Sequence, residues 1–277
     1  MQKTSLPFRL AAIDLDDTLL GSDKQISAAN AAAVRTLQEY GVRVVLASGR
    51  RHENMLRFHQ QLGLKGPIVS SGGALVKDAE TGEILHQHPV PADLAAELVV
   101  EGTAKGMTLI YYRSDGVYVR ERTVWTDLYQ SRAGEELIVY GDLTRLAGDT
   151  PQKVIWCDKP ERVASLLPEM KSYYSGRLEV IITDPEFLEF TAVGVDKALG
   201  LAAVAKRYGI EPAQVLSFGD GNNDVAMLKW AGLGVAMSNA RPSAKAVAAL
   251  VSPPGDPEVS LALAIAMVLD HTRLVNL

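Results

Sequence analysis

The feature that most constrains the fold is a repeated unit. A short apolar run stops at a polar or glycine-bearing break, and a stretch of helical period follows. Phe8 to Ile13, Val42 to Ala47 and Pro67 to Val69 read as buried strands, and the stretches Ser27 to Tyr40 and Arg51 to Leu62 between them read as helices. Ser27 is a good N-cap, and Gly41 and Gly63 stand where a helix C-terminus needs a left-handed residue. Strands separated by helices predict a parallel sheet with helical crossovers.

After Phe187 to Phe190 the same unit returns. Asp196 to Tyr208, Asn223 to Trp230, Pro242 to Leu250 and Pro257 to Asp270 read as helices, with strands at Val215 to Phe218 and Leu233 to Ala236. The intervening chain has another character. A hairpin pattern, Ala74 to Lys77 and Glu83 to His86, leads to a proline-marked crossing at Pro89. Beyond it come a helix (Asp93 to Ala104), strands (Met107 to Tyr112, Gly116 to Arg120, Lys153 to Cys157), a helix (Glu161 to Tyr173) and a strand (Leu178 to Ile182), before Pro185 marks a second crossing. The expected class is α/β, with a Rossmann-like parallel-sheet core from residues 1–87 and 186–277 and an inserted α+β domain at 88–185.

A chain of 277 residues can bury cores for two such domains, and 47% apolar with 22% charged residues excludes a disordered or fibrous protein. The formal charge of −5 supplies no basic field, so neither nucleic acid nor an anionic membrane surface is an expected partner. The run Leu261 to Leu269 falls well short of the roughly 20 residues that span a bilayer. Lys3, Pro7 and Arg9 leave no room for the apolar segment of a secretory signal, and the lone Cys157 reads as a buried thiol, so a reducing cytoplasm is the expected location.

Three expected strand ends carry polar residues that a core would not select. Asp14, Asp16 and Asp17 crowd the end of the first strand, Ser48 and Gly49 the end of the second, and Asp220, Asn223 and Asp224 the glycine-rich turn after Val215 to Phe218. Singly, each aspartate is an ordinary turn or capping residue, Ser48 a cap and Lys197 a solvated lysine. Parallel sheets, however, bind ligands beyond the carboxyl ends of their strands, so all should meet in one crevice. Asp14, Asp16, Asp220 and Asp224 against the single cation Lys197 would leave a strongly negative site, which a divalent ion resolves. Hard oxygen ligands with room for water suit Mg²⁺ better than zinc.

These residues, in this order and spacing, resemble the motifs of the haloacid dehalogenase-like phosphatases, and the insertion resembles the cap of the Cof-type subfamily. The resemblance implies a Mg²⁺-dependent phosphatase of sugar phosphates and related small metabolites. It makes Asp14 nucleophile and metal ligand, and Asp16 general acid/base with its backbone carbonyl on the metal. Ser48, the Gly49 amide and Lys197 would hold phosphoryl oxygens, Asp220 the metal, and Asn223 and Asp224 would orient phosphate and metal shell. It also makes the inserted cap the specificity element. The chain departs from the pattern in having Asp17 where glycine is common, Ser48 for threonine, and Gly72 for an asparagine.

Two alternatives share these residues: a phosphomutase using the same aspartyl-phosphate intermediate, and a non-catalytic phosphometabolite-binding protein. A receiver domain is excluded by length and by the second carboxylate at Asp16. His86 and His88 lack a third metal ligand nearby, and Trp125, Tyr129 and Tyr140 read as packing.

Overall fold

The computed structural model describes residues 6–275. In chain order the first half contains β1 (Leu10–Ile13), α1 (Ala28–Glu39), β2 (Arg43–Leu46), α2 (His52–Gln61), β3 (Pro67–Ser70), β4 (Leu75–Asp78) and β5 (Ile84–Gln87), followed by α3 (Ala92–Ala104), β6 (Thr108–Tyr112), β7 (Val117–Val119), α4 (Val124–Ala133) and β8 (Leu137–Val139). Then come β9 (Lys153–Cys157), α5 (Pro160–Tyr173), β10 (Leu178–Asp184), β11 (Phe187–Ala192), α6 (Lys197–Tyr208), β12 (Val215–Gly219), α7 (Val225–Trp230), β13 (Leu233–Ala236), α8 (Pro242–Val247), β14 (Leu250–Val251) and α9 (Pro257–Val275).

The chain divides into two compact units, residues 87–195 and the remainder. The remainder is built on a five-stranded sheet in the order β14-β13-β12-β1-β2, parallel throughout. Alternation along β1 explains why it is covered on both faces. Ala11 and Ile13 face a core with Val34 and Leu37 of α1, Phe58 of α2 and Leu261 and Ile265 of α9. Leu10 and Ala12 face another with Leu201 and Val204 of α6 and Met227 of α7. The third expected parallel strand behaves differently. A single parallel bridge, Ala47 to Val69, links β3 to the end of β2, and β3 otherwise pairs antiparallel with β4 in a separate sheet, β3-β4-β5.

Register fixes where the functional side chains emerge. Ile13 sits level with Leu46 on one side and Phe218 on the other. The Asp14 amide then donates to the Phe218 carbonyl (3.0 Å) and that of Ala47 to the Ile13 carbonyl (3.0 Å), so Asp14, Ser48 and Asp220 leave the sheet from neighbouring strand ends.

The inserted unit is a six-stranded sheet, β10-β11-β9-β6-β7-β8, antiparallel except for β7 with β8. Leu94 and Leu98 of α3 and Val163 and Met170 of α5 share one core with Trp156 and Phe190, while Tyr129 of α4 packs on the opposite face with Ile110, Ile155 and Phe187. The sequence expectation left out α4 and β8, whose apolar pattern is diluted by Thr126, Asp127, Gln130 and Glu136. It also ended the insertion at 185/186, whereas the units part at 195/196. The physical reason is β11, which lies between β10 and β9 and belongs to their sheet. A cavity of about 780 Å³ opens in this unit, lined by residues including Thr103, Thr108, Arg120, Glu121 and Asp142, and no residue expected to carry chemistry lines it. No helix among the described residues is long and apolar enough to cross a membrane.

Candidate active site

After β1 the chain makes one wide turn, Leu15–Leu19, closed by a hydrogen bond from the Leu20 amide to the Leu15 carbonyl (2.9 Å). Leu15 and Leu19 are buried in the core and pin the turn, which leaves its polar residues to be aimed separately. Asp14 and Asp16 are both extended (ψ 158° and 130°), and Asp17 takes a left-handed conformation (φ 59°). Thr18 Oγ1 donates to Asp220 Oδ1 (2.9 Å), tying the first strand end to the third.

Lys197 begins α6, whose N-cap Asp196 accepts from the Leu199 amide (2.8 Å). Its side chain is wholly buried, and its ammonium donates to Asp14 Oδ1 and to Asp224 Oδ1. The other Asp224 oxygen accepts from the backbone amides of Asp220 (2.9 Å) and Gly221 (2.8 Å), so the glycine-rich turn wraps around this carboxylate. Ser48 is buried beside them, its hydroxyl oxygen accepting from the Arg50 amide (3.2 Å) and its carbonyl from the Gly72 amide (3.0 Å).

Asp14, Asp220 and Asp224 each offer a carboxylate oxygen within 4.8 Å of the others. Burial first, and the Asp224 charge second, push the Asp14 carboxyl well above the ordinary carboxylate range despite Lys197. The same two causes raise Asp220 to about 7 against the hydrogen bond from Thr18. Burial alone would depress the Lys197 ammonium, but Asp14 and Asp224 outweigh it and hold the proton more tightly than in free lysine. Carboxylates that resist ionisation at so short a separation are short of positive charge. An all-oxygen donor set of this size fits a hard divalent cation.

Asp16 has a different environment. Burial raises its carboxyl, but the hydrogen bonds and charge of Arg50, with the charge of Lys24, more than offset this and hold it below the usual value. Arg50 Nε donates to Asp16 Oδ2 (2.8 Å) and Nη2 to Oδ1 (2.7 Å). Asp17 stands outside the cluster, its side chain 63% exposed and 3.2 Å from Lys24. Asn223 lies half-buried in the turn beside Asp224 and makes no hydrogen bond to Asp14, Ser48 or Lys197. Arg50 and Thr18 each adjoin residues singled out in the sequence, which gives neither of them a role. The available signal was position, since both adjoin polar residues at strand ends.

A strand-end aspartate, a buried lysine and a carboxylate pair on one parallel sheet are the arrangement of phosphoryl-transfer proteins of the doubly wound class. The family model for haloacid dehalogenase-like hydrolases matches residues 11–259, and the chain belongs to that family as a Cof-type phosphatase. It is 29% identical over 250 residues to the 5-amino-6-(5-phospho-D-ribitylamino)uracil phosphatase of Bacillus subtilis, covering 86% of this chain and 90% of that protein. To the HMP-PP phosphatase of Serratia proteamaculans it is 28% identical over 242 residues, 87% of either chain. A haloacid dehalogenase-like hydrolase from Bacteroides thetaiotaomicron superposes with a TM-score of 0.82 at 26% identity, over 94% of this chain and 99% of that one.

Proposed function

We propose that this phosphatase hydrolyses small phosphorylated metabolites, sugar or polyol phosphates foremost, with Mg²⁺ as its cation and an aspartyl phosphate on Asp14 as intermediate. The observation that carries the reading is the Asp14, Asp220 and Asp224 cluster bridged by the buried Lys197. The phosphorylated ribityl chain named for the Bacillus relative supports a polyol phosphate as substrate.

Asp14, Asp220 and Asp224, with the Asp16 backbone carbonyl, would hold the cation, which when bound neutralises phosphoryl charge that would otherwise repel a carboxylate nucleophile. Lys197, the Ser48 hydroxyl and the Gly49 amide would bind the phosphoryl oxygens, and Asn223 with Asp224 would orient them. The Asp14 carboxylate forms a bond to phosphorus as the ester P–O bond breaks, and Asp16, in the protonated form that the second step regenerates, passes a proton to the departing oxygen. Water then attacks phosphorus, Asp16 takes its proton, and the Asp14–phosphorus linkage breaks to release phosphate. Selectivity is assigned to the inserted unit, since none of these residues lies in it.

The test is phosphate release from a panel of sugar phosphates, polyol phosphates, nucleotides and pyridoxal phosphate with Mg²⁺, combined with acid quench and mass spectrometry. A phosphoryl adduct on Asp14 is expected. An adduct on any other residue, or no turnover across the panel, overturns the reading. A phosphomutase would show itself by phosphoryl exchange between substrate and product without net phosphate release.

A further inference from the structure

The second motif does more than supply Ser48. Arg50, two residues on, is buried (5% exposed) and held at several points. Its amide donates to Ser48 Oγ (3.2 Å), its carbonyl accepts from the Ser71 amide (2.8 Å), and its guanidinium carbon lies 5.7 Å from the centre of the Phe58 ring. From this fixed base it makes the two-point grip on Asp16 described above. Asp16 is the freer partner, since its side chain is 34% exposed and it stands beside exposed, left-handed Asp17. Lys24 also approaches Asp16 Oδ1, at 3.4 Å, but it is 37% exposed and touches a single oxygen.

A bidentate guanidinium fixes more than distance. It sets the plane and rotation of the carboxyl group, which a single ammonium contact cannot do. A buried arginine also loses heavily if its carboxylate leaves, so the pair resists rotation of Asp16 out of place.

We propose that Arg50 is the positioning residue for Asp16: it clamps the ionised carboxylate in the orientation from which it takes the proton of the attacking water. The proposal rests on the phosphatase reading of the same site. It places the phosphate ligand Ser48 and the clamp on one loop, so the geometry of phosphoryl binding and that of proton transfer are set together. Lys24 is a screening charge of minor consequence, as exposed single contacts are.

A double-mutant cycle tests this. Arg50→Gln should lower kcat on the order of 10²-fold, the scale of lost general acid–base catalysis, with KM changed less than about threefold. In an Asp16→Asn background the same change should cost no more than about twofold, because nothing remains to be positioned. Arg50→Lys keeps the charge and loses the fork, so it should fold and still lose about tenfold in kcat, and Lys24→Ala should stay within about threefold. Equal losses from Arg50→Gln with and without Asp16, or full activity of Arg50→Lys, would overturn the proposal even if the parent enzyme is active. An Arg50→Gln chain that does not fold shifts the decision to Arg50→Lys. No turnover by the parent overturns the phosphatase reading, and this assignment with it.

Discussion

Asp14 and Lys197 stand 183 positions apart in sequence and are joined by a buried hydrogen bond at the centre of the site. The same ammonium holds Asp224, so one lysine sets the spacing of Asp14, the proposed nucleophile, and of a carboxylate from the last motif. Replacing it by methionine keeps the volume and leaves two buried carboxylates with no counter-charge. Lys197→Met should lower kcat/KM by 10² or more, about the cost of removing one preorganised charge-stabilising donor. It should also reduce the thermal midpoint. Steady-state kinetics beside a melting curve would check both.

Cation binding should appear in stability as well as in turnover. Asp220 has a folded-state pKa of about 7 against an ordinary 3.8, and burial pushes Asp14 the same way. A carboxyl raised in the folded state contributes stability below its unfolded pKa and loses it as pH climbs through the folded one. Without the ion, the protein should therefore lose stability from about pH 4 to pH 7 through these groups. Mg²⁺ should raise the thermal midpoint, more at pH 8 than at pH 5.5, with about 2.7 kcal/mol expected at a hundredfold excess over Kd. EDTA should abolish turnover, and Asp220→Asn should blunt the Mg²⁺-dependent shift. A midpoint indifferent to Mg²⁺ at both pH values would exclude the cluster as the cation site.

Strand ends, spacing and charge made much of this molecule readable from sequence. The alternation of apolar runs and helices located β1, β2, β12 and β13, and the polar breaks after them named Asp14, Ser48 and Asp220 before any geometry was known. The Arg50 clamp was not readable, because a two-point contact with Asp16 depends on side-chain direction across 34 positions, which no local pattern encodes. The role of Ser71 was equally hidden. It is a non-glycine residue at φ 50°, followed by Gly72 and Gly73 at 68° and 103°. Three left-handed residues in succession take the chain from the site into β4, so β3 pairs antiparallel instead of extending the parallel sheet. The insertion's end was misjudged for a related reason: β11 is as apolar as a core strand, and only its pairing with β9 and β10 shows which sheet owns it.

Acid should weaken the fold through α2. His52 and His59 are both buried, and His52 Nδ1 and His59 Nε2 lack hydrogen-bond partners. Burial lowers the pKa of each below the ordinary 6.5. A histidine depressed in the folded state contributes stability above its unfolded pKa and loses it as pH falls below that value. With Mg²⁺ saturating the carboxylate cluster, the thermal midpoint should therefore drop between pH 7.5 and 5.5. In a His52→Gln, His59→Gln double variant the drop should be shallower, and equal slopes in the two proteins would exclude these histidines as its source.

Lys197 rests on a turn packed backbone against backbone. Gly73 has φ +103°, and a Cβ there would lie 1.9 Å from the Asp196 carbonyl oxygen and 3.2 Å from the Lys197 amide nitrogen. Backbone, not a flexible side chain, occupies that space, and α6 comes close again at Gly200, where a Cβ would meet Gly73 Cα at 3.2 Å. An alanine at 73 must therefore push the start of α6 away from β3 and β4, carrying Lys197 from its place between Asp14 and Asp224. Gly63 supplies the control, since it shares the left-handed conformation (φ +62°) but has nothing within 4 Å of the added atom. Gly63→Ala should cost about 1 kcal/mol for the backbone conformation alone and leave kcat unchanged. Gly73→Ala should cost roughly 2 to 4 kcal/mol, because overpacking adds to the same backbone term, and kcat should fall at least tenfold in the fraction that remains folded. Denaturant melts of both variants, with kcat measured well below their midpoints, would decide. If Gly73→Ala is no worse than Gly63→Ala in both respects, close packing at this turn does not set the position of Lys197.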